Sequence, residues 1–599
     1  MRIRFQSLMG AALLSMGVLT AAQSPIQVGA SVQVSKALAQ DPHYEIEIGA
    51  NPNNAKELIA CSMVFPPEAP TSQVDTFVTF DGGRTWQLSL RQKAQLEAWD
   101  PACEYGPGGV AYSLSEAQTR QYPDGYDRLD RSLDGGKTWL PFTRMIHAER
   151  SFLTVDNQPG PHHGWLFVYG MNGDHDIRVS YSRDGGTTFV TQIVPVQADA
   201  EVVNVGPGDL LSDGSLVIPV PTVAPPGSQR QDERVWRPGF INVVRMHFQR
   251  PNWPLKSQVD RVTRWWVDLA ANGSYYTTLA IDHTHGPFRD RIYAVWEDWD
   301  SGRSRVRLTY SSDLGKTWSA PRNLDDNLAR RDGDHLNGPD DIHGTVAVND
   351  RGVVGVMWLD RRDQPDNLGW AVRFRASRDG GDTFVPGVKA STADYDPSRG
   401  GRVPLFNDLA LPWFAFHGGH TMGLAADAAG AFHPLWVANP EGVAQVWTTT
   451  IRVDGDAVRH GSPALANLVD VSGQVKLQFL ERFYNLKTHT VSFAVRVLNT
   501  SQNVIHGPLK VRVLYAGSYM GRVEVSDNGA MRPLEGTIWE FKLPGGALQP
   551  GAMTAAQPVV LYEHGLDPFT QIGHFPMAIT PLADLRTTVL AGAIRAAGH

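Results

Sequence analysis

The sequence predicts an all-β fold assembled from repeats, and three observations predict it. Gly 58 and Pro 40 make up about a sixth of the 599 residues, above an average share of about 12%. Those turn formers accompany 17 Trp, 23 Phe and 16 Tyr, a composition suited to many short strands with rings packed between them. An element of seven or eight residues occurs five times along the first two thirds of the chain. Repetition of that kind sets the architecture before any single strand is assigned.

Charge and composition exclude other classes. The net charge is -8, spread without long single-sign runs, so there is no basic face to neutralise phosphates and no nucleic-acid partner is expected. A hydrophobic share of 42% excludes wholesale disorder.

In chain order, the N-terminus comes first. Arg2 and Arg4 precede an apolar run from Leu8 to Leu19, followed by the small residues Thr20-Ala21-Ala22. This is the pattern of an export signal over residues 1–22, with Ala37-Leu38-Ala39 as a second small-residue site that would put cleavage as late as 39. The run is too short to span a bilayer comfortably, and no other stretch is long and apolar enough, so no transmembrane anchor is expected. The mature protein should be secreted or periplasmic. Cys61 and Cys103 are the two cysteines, and in an oxidising compartment a sparse pair reads as one disulfide. Two separate buried thiols are the alternative.

The repeated element begins as Thr79-Phe80-Asp81-Gly82-Gly83-Arg84-Thr85-Trp86 and returns as Ser132-Leu133-Asp134-Gly135-Gly136-Lys137-Thr138-Trp139. The third and fourth copies are Ser182-Arg183-Asp184-Gly185-Gly186-Thr187-Thr188-Phe189 and Ser312-Asp313-Leu314-Gly315-Lys316-Thr317-Trp318. The fifth is Ser377-Arg378-Asp379-Gly380-Gly381-Asp382-Thr383-Phe384. In each, the Asp carboxylate can accept N–H groups across a turn, Gly supplies positive φ, and the Thr hydroxyl ties the loop. The closing Trp or Phe packs between neighbouring sheets. Asp81, Asp134, Asp184, Asp313 and Asp379 are therefore structural.

These copies resemble the BNR, or Asp-box, repeat of the sialidase-like β-propeller superfamily. The stretches Gly419-His420-Thr421-Met422-Gly423-Leu424-Ala425-Ala426-Asp427 and Trp358-Leu359-Asp360-Arg361-Arg362 resemble secreted members of that group. The resemblance implies a propeller in which each box joins the third and fourth strands of a blade. The box aspartates are separated by 53, 50, 129 and 66 residues, so one blade in the long gap lacks a box. Seven inner-strand sequences can be picked out, giving a seven-bladed propeller over residues 26–460, alternatively six-bladed. The N-terminal segment Ile26 to Val34 would supply the last outer strand and close the ring. After about residue 460 the boxes stop and alternating strands continue, which reads as a C-terminal β-sandwich over residues 465–599.

The resemblance also implies that function lies on the face opposite the boxes. The carboxylates Asp341, Asp360, Glu45 and Asp100 fall in loops on that face and are the candidates for acid–base work. Arg150, His343, Arg361, Arg362, His420 and Tyr276 are the candidates for gripping substrate. Asp340-Asp341-Ile342-His343 with Asp360-Arg361-Arg362-Asp363 is the densest polar cluster, and salt links between blades would place the same residues there. No cofactor motif is present. The metal question stays open, because His417-Gly418-Gly419-His420 has no carboxylate partner fixed by spacing. No Arg-Ile-Pro occurs, and no arginine stands between Arg4 and Arg84, where the first arginine of the sialidase triad would fall. The implied partner is a glycan or glycoconjugate. Two readings result: an exported glycoside hydrolase, or a non-catalytic propeller that binds glycan or protein.

Overall fold

The computed structural model describes residues 24–596, apart from 68–70, 93–96, 119–124, 198–199, 225–235, 248–255, 269–275, 301–302, 328–329, 333–334, 365, 400–404, 407–408, 411–417, 519–520, 528 and 566–583. The expected export signal lies outside the described residues. What is described is all-β, with only single-turn 3-10 helices between strands.

Strands pair consecutively into four-stranded antiparallel sheets, as short strands joined by tight turns must. Sheet 1 runs His43–Ala50, Leu58–Val64, Gln73–Thr79 and Gln87–Gln92. Sheet 2 runs Glu97–Tyr105, Ala111–Gln118, Tyr126–Ser132 and Thr143–Ile146. Sheet 3 runs Glu149–Val155, Leu166–Met171, Asp176–Ser182 and Val190–Pro195. Sheet 4 begins with Glu201–Val202 and Asp209–Leu210, then Leu216–Val223 and the long hairpin Trp236–His247 with Lys256–Asp268. It occupies the long gap between boxes and has none.

Sheet 5 runs Thr277–Ile281, Ile292–Asp298, Arg305–Ser311 and Arg322–Asn323. Sheet 6 runs Asp341–Val348, Val354–Asp360, Ala371–Ser377 and Val388–Lys389. The next sheet has Leu424–Ala426, Phe432–Ala438 and Gln445–Thr448, and its fourth strand is Val32–Gln33 from the N-terminus. Beside it Ile26–Val28 pairs Ile451–Val453. The N-terminal segment therefore closes the ring, and no sheet edge is left open there.

Neighbouring inner strands touch backbone to backbone around the propeller axis. A Cβ on Gly49 would stand 2.9 Å from the Glu104 Cα, and one on Gly423 would stand 2.7 Å from the Ile48 amide. Only glycine admits that approach. The main core fills the spaces between sheets, with Phe167, Tyr169, Met357, Trp370, Phe432 and Trp436 among its largest members.

The boxes are built as their chemistry requires. Asp81 Oδ1 accepts the amides of Arg84 and Thr85 at 3.0 and 2.9 Å, and its Oδ2 accepts the Thr85 hydroxyl at 2.6 Å. Asp134, Asp184, Asp313 and Asp379 repeat this arrangement. Hydrogen bonds from the Thr138 side chain and amide hold the Asp134 carboxyl down at about 2. Trp86, Trp139, Phe189, Trp318 and Phe384 each pack against a core cluster.

The C-terminal part is two five-stranded sheets. One is ordered Val469–Asp470, Asp584–Ala596, Asn503–Gly517, Ile538–Phe541, with Ala547–Leu548 beside Asn503–Gly517; the other runs Val475–Asn485, Thr490–Asn499, Gln557–Gly565, Gly521–Asp527, Ala530–Pro533. Val495, Val511, Trp539, Leu561 and Val589 share the core between them, as in a sandwich. This part rests on the fifth and sixth sheets. Arg512 pairs the box carboxylate of Asp379, Arg322 pairs Glu535, and Arg586 donates to the carbonyls of Ala320 and Pro321 at 2.6 Å.

The expected disulfide is not formed. Cys61 and Cys103 are both buried free thiols, whose Sγ atoms lie 3.9 and 3.5 Å from the same Glu47 carbonyl. Burial pushes both thiols above their usual range.

Candidate functional site

Four inner strands share one local feature. Glu45, Asp100, Arg150 and His343 are non-glycine residues with φ of 46, 44, 55 and 54°. Each sits at a break in the register of its inner strand: between Tyr44 and Ile46, Trp99 and Ala102, Glu149 and Phe152, and Ile342 and Thr345. A bulge inserts one residue and re-aims its side chain. The same device in the first, second, third and sixth sheets thus sets two carboxylates, a guanidinium and an imidazole at equivalent positions. Left-handed backbone costs a non-glycine residue about 1–2 kcal/mol, and such strain concentrates at functional sites.

Two of the four, Glu45 and Asp100, meet each other and His420. Donor atoms of Glu45, Asp100 and His420 all lie within 4.8 Å of one another. His420 Nδ1 is 3.0 Å from Glu45 Oε1. Arg150 reaches across to donate to the Val203 carbonyl at 2.9 Å. Together Asp100, Pro101, Arg150, Ser151, Phe152, Asn204, His420 and Thr421 line a shallow recess.

Electrostatics divides these groups. Burial lifts the Asp100 carboxyl well above its usual range, and the charges of Glu45 and Glu149 add to it. Burial raises Glu45 as well, opposed by its hydrogen bond with Asp100 and by Arg150. Burial and Arg150 hold the His420 imidazole well below its ordinary value, so its contact with Glu45 is that of a neutral ring. Glu149 goes the other way. The His147 imidazole, its Nε2 3.8 Å away, keeps the Glu149 carboxyl low despite burial, and Arg150 assists.

A second polar group adjoins the first. His147 Nδ1 is 3.1 Å from Asp127 Oδ1 and 3.9 Å from Glu116 Oε2, while its Nε2 is 3.8 Å from Glu149 Oε2. Burial opposes its charge, yet the Asp127 bond and the nearby Glu149 carboxylate prevail and lift it to about 9.

The other sequence candidates go elsewhere. Tyr276 is fully buried and spans the axis below the recess, its hydroxyl 2.9 Å from Glu47 Oε1 and 3.2 Å from the Met422 carbonyl. It braces the inner strands and presents no surface to a ligand. Asp360 caps the Trp358 indole at 3.0 Å and pairs Arg362 and Arg373. In the fifth sheet Asp298 caps the Trp296 indole at 3.2 Å and pairs Arg307, the same construction one sheet earlier. A feature repeated in this way belongs to the scaffold. Arg362 continues to Asp326, Arg361 donates to the Asn367 carbonyl at 2.7 Å, and buried Asp341 takes the Asn327 amide. The dense cluster read from the sequence is tied up in contacts within and between the fifth and sixth sheets. His343 alone of that stretch takes the bulge position, its amide 3.3 Å from Glu297 Oε2.

Sequence reasoning missed Ser151, Phe152, Asn204 and Thr421 as lining residues. The available signal was positional: each stands within a few residues of a named candidate, or at the matching step of an inner strand.

The fold and site define a β-propeller with a polar recess on its axis. No protein-family model matches the chain, and no curated protein does. Among solved structures, an unknown-function protein of Dyadobacter fermentans is similar at 12% identity, over 72% of this chain and 99% of that one, with a TM-score of 0.39. The α-L-arabinofuranosidase Arb93A of Fusarium graminearum is similar at 12% identity, over 59% and 98%, with a TM-score of 0.36. Trypanosoma rangeli sialidase is similar at 10% identity, over 96% and 94%, with a TM-score of 0.38.

Proposed function

We propose that this chain is an exported, glycan-acting propeller, a glycoside hydrolase whose reacting groups surround the axial recess. The observation that carries the reading is the repeated left-handed bulge that sets Glu45, Asp100, Arg150 and His343 at one level. Two carboxyls in contact cannot both stay ionised, so the Glu45–Asp100 pair holds a proton. Asp100 would deliver that proton to the leaving glycosidic oxygen. Glu149, kept ionised by His147, would take a proton from the attacking water or attack the sugar carbon itself. Carboxyls pushed in opposite directions by their surroundings are the usual mark of an acid and its partner base. Arg150, Asn204 and Thr421 would hold hydroxyls or a carboxylate of the sugar.

A non-catalytic binding propeller is the second reading, and one observation favours it. Arg150 and Glu45 are already engaged within the protein, by the Val203 carbonyl at 2.9 Å and by His420 at 3.0 Å. The test is a hydrolysis and binding screen of the purified mature chain on a glycan panel, with Glu149→Gln beside it. Turnover that falls at least about 100-fold in Glu149→Gln, with binding kept, supports the hydrolase. Binding without turnover in both proteins supports the binder.

A further inference from the structure

We infer that Glu45, Asp100 and His420 form a binding site for one divalent transition-metal ion, an inference that goes beyond the hydrolytic reading and in which the ion displaces the proton that the Glu45–Asp100 pair otherwise holds. Two carboxylates from the first and second sheets and an imidazole from the loop before Leu424–Ala426 present donor atoms within 4.8 Å of one another. That span closes onto one ion with bonds of about 2.0–2.2 Å after small side-chain movements. The mixed oxygen and nitrogen donors favour Zn²⁺ or Mn²⁺ over Ca²⁺ or Mg²⁺, which prefer oxygen alone.

Two further observations point the same way. Thr421 lines the same recess, is 6% exposed, and its Oγ1 has no hydrogen-bond partner. A buried hydroxyl left without a partner costs about 1–3 kcal/mol, and a bound ion or its water would satisfy it. Glu45 is 1% exposed, and no N–H or hydroxyl donor reaches its Oε2. Charge balance agrees. Glu149, Glu116 and Asp127 stand behind Glu45 and Asp100, and the cations facing these carboxyls are Arg150 and His147. Arg150 opposes a cation, but the carboxyls outnumber the cations and a divalent ion redresses the excess. A glycine cap completes the cradle, since a Cβ on Gly419 would strike Glu45 Cγ at 2.4 Å.

The test uses the full mature chain, stripped with EDTA, and titrates Zn²⁺ and Mn²⁺ separately by calorimetry with no glycan present. Its outcome is thus independent of whether the chain hydrolyses anything. One equivalent per chain is expected, with a raised melting temperature. His420→Gln should weaken binding by at least about tenfold and Thr421→Val by a smaller factor. Glu116→Gln, which removes a nearby charge but no donor atom of the site, should weaken binding less than His420→Gln does. Should His420→Gln fail to fold, the EPR spectrum of the Mn²⁺-loaded wild type decides, and imidazole nitrogen coupling is expected. The inference is overturned by any of four results. These are absence of saturable binding below about 1 mM, undiminished binding by folded His420→Gln, a larger loss in Glu116→Gln than in His420→Gln, or a spectrum without nitrogen coupling.

Discussion

Positive φ at a non-glycine residue is a local cost of about 1–2 kcal/mol that the rest of the fold must offset. At Asp100 the strain is compounded by burial beside Glu45 and Glu149. Asp100→Gly should therefore raise stability by about 1 kcal/mol in urea denaturation while abolishing function. A loss of stability would mean that the bulge is held for packing. His147 gives a pH signature. Its folded pKa of about 9 exceeds the unfolded value near 6.5, so its contribution is fully present below that value and is lost as pH rises through 9. The stability gap between wild type and His147→Gln, measured by denaturation from pH 6 to 10, should shrink over that window. Glu45, Asp100, Arg150, His343 and His420 were legible in the sequence because loop polarity marks the pocket face. Their separation from Asp341, Asp360, Arg361 and Arg362 was not. Density of charge along the chain cannot distinguish residues aimed at the axis from residues tied to Trp358 and Arg373 between sheets.

At the level of elements, the boxes are equivalent in turn chemistry but not in surroundings. Asp134 serves its own turn, whereas buried Asp379 also answers buried Arg512 of the sandwich. Asp379→Ala should cost about 3 kcal/mol or more, because it strands a buried guanidinium, and should exceed the loss in Asp134→Ala. Equal losses in thermal denaturation would contradict that ordering. The box turns were readable because each residue type has one task at one place. Docking of the sandwich on the fifth and sixth sheets was not, since Arg512, Glu535 and Arg586 lie more than a hundred residues from their partners. Cys61 and Cys103 do come together as the sequence suggests, since both thiols reach the Glu47 carbonyl, but they are free there.

For the whole molecule, closure and the axial site are linked, because the N-terminal strand fixes the last sheet and so the place of His420. Ile26 and Val34 are 5 and 1% exposed. A chain starting after Val34 should lose at least about 3 kcal/mol, from the two buried side chains alone, as read by urea denaturation. Unchanged stability would mean that the ring does not depend on that strand. The central claim is that ligand is bound and transformed at the axis and not at the bracing cluster between the fifth and sixth sheets. The direct measurement is turnover and binding on a glycan panel by wild type, Asp100→Asn and Asp360→Asn, each normalised to folded protein. The account predicts that Asp100→Asn loses turnover by at least about 100-fold at an unchanged melting temperature. It predicts that Asp360→Asn melts earlier yet keeps its function per folded molecule. Full turnover by Asp100→Asn, or loss in Asp360→Asn with stability intact, would contradict it.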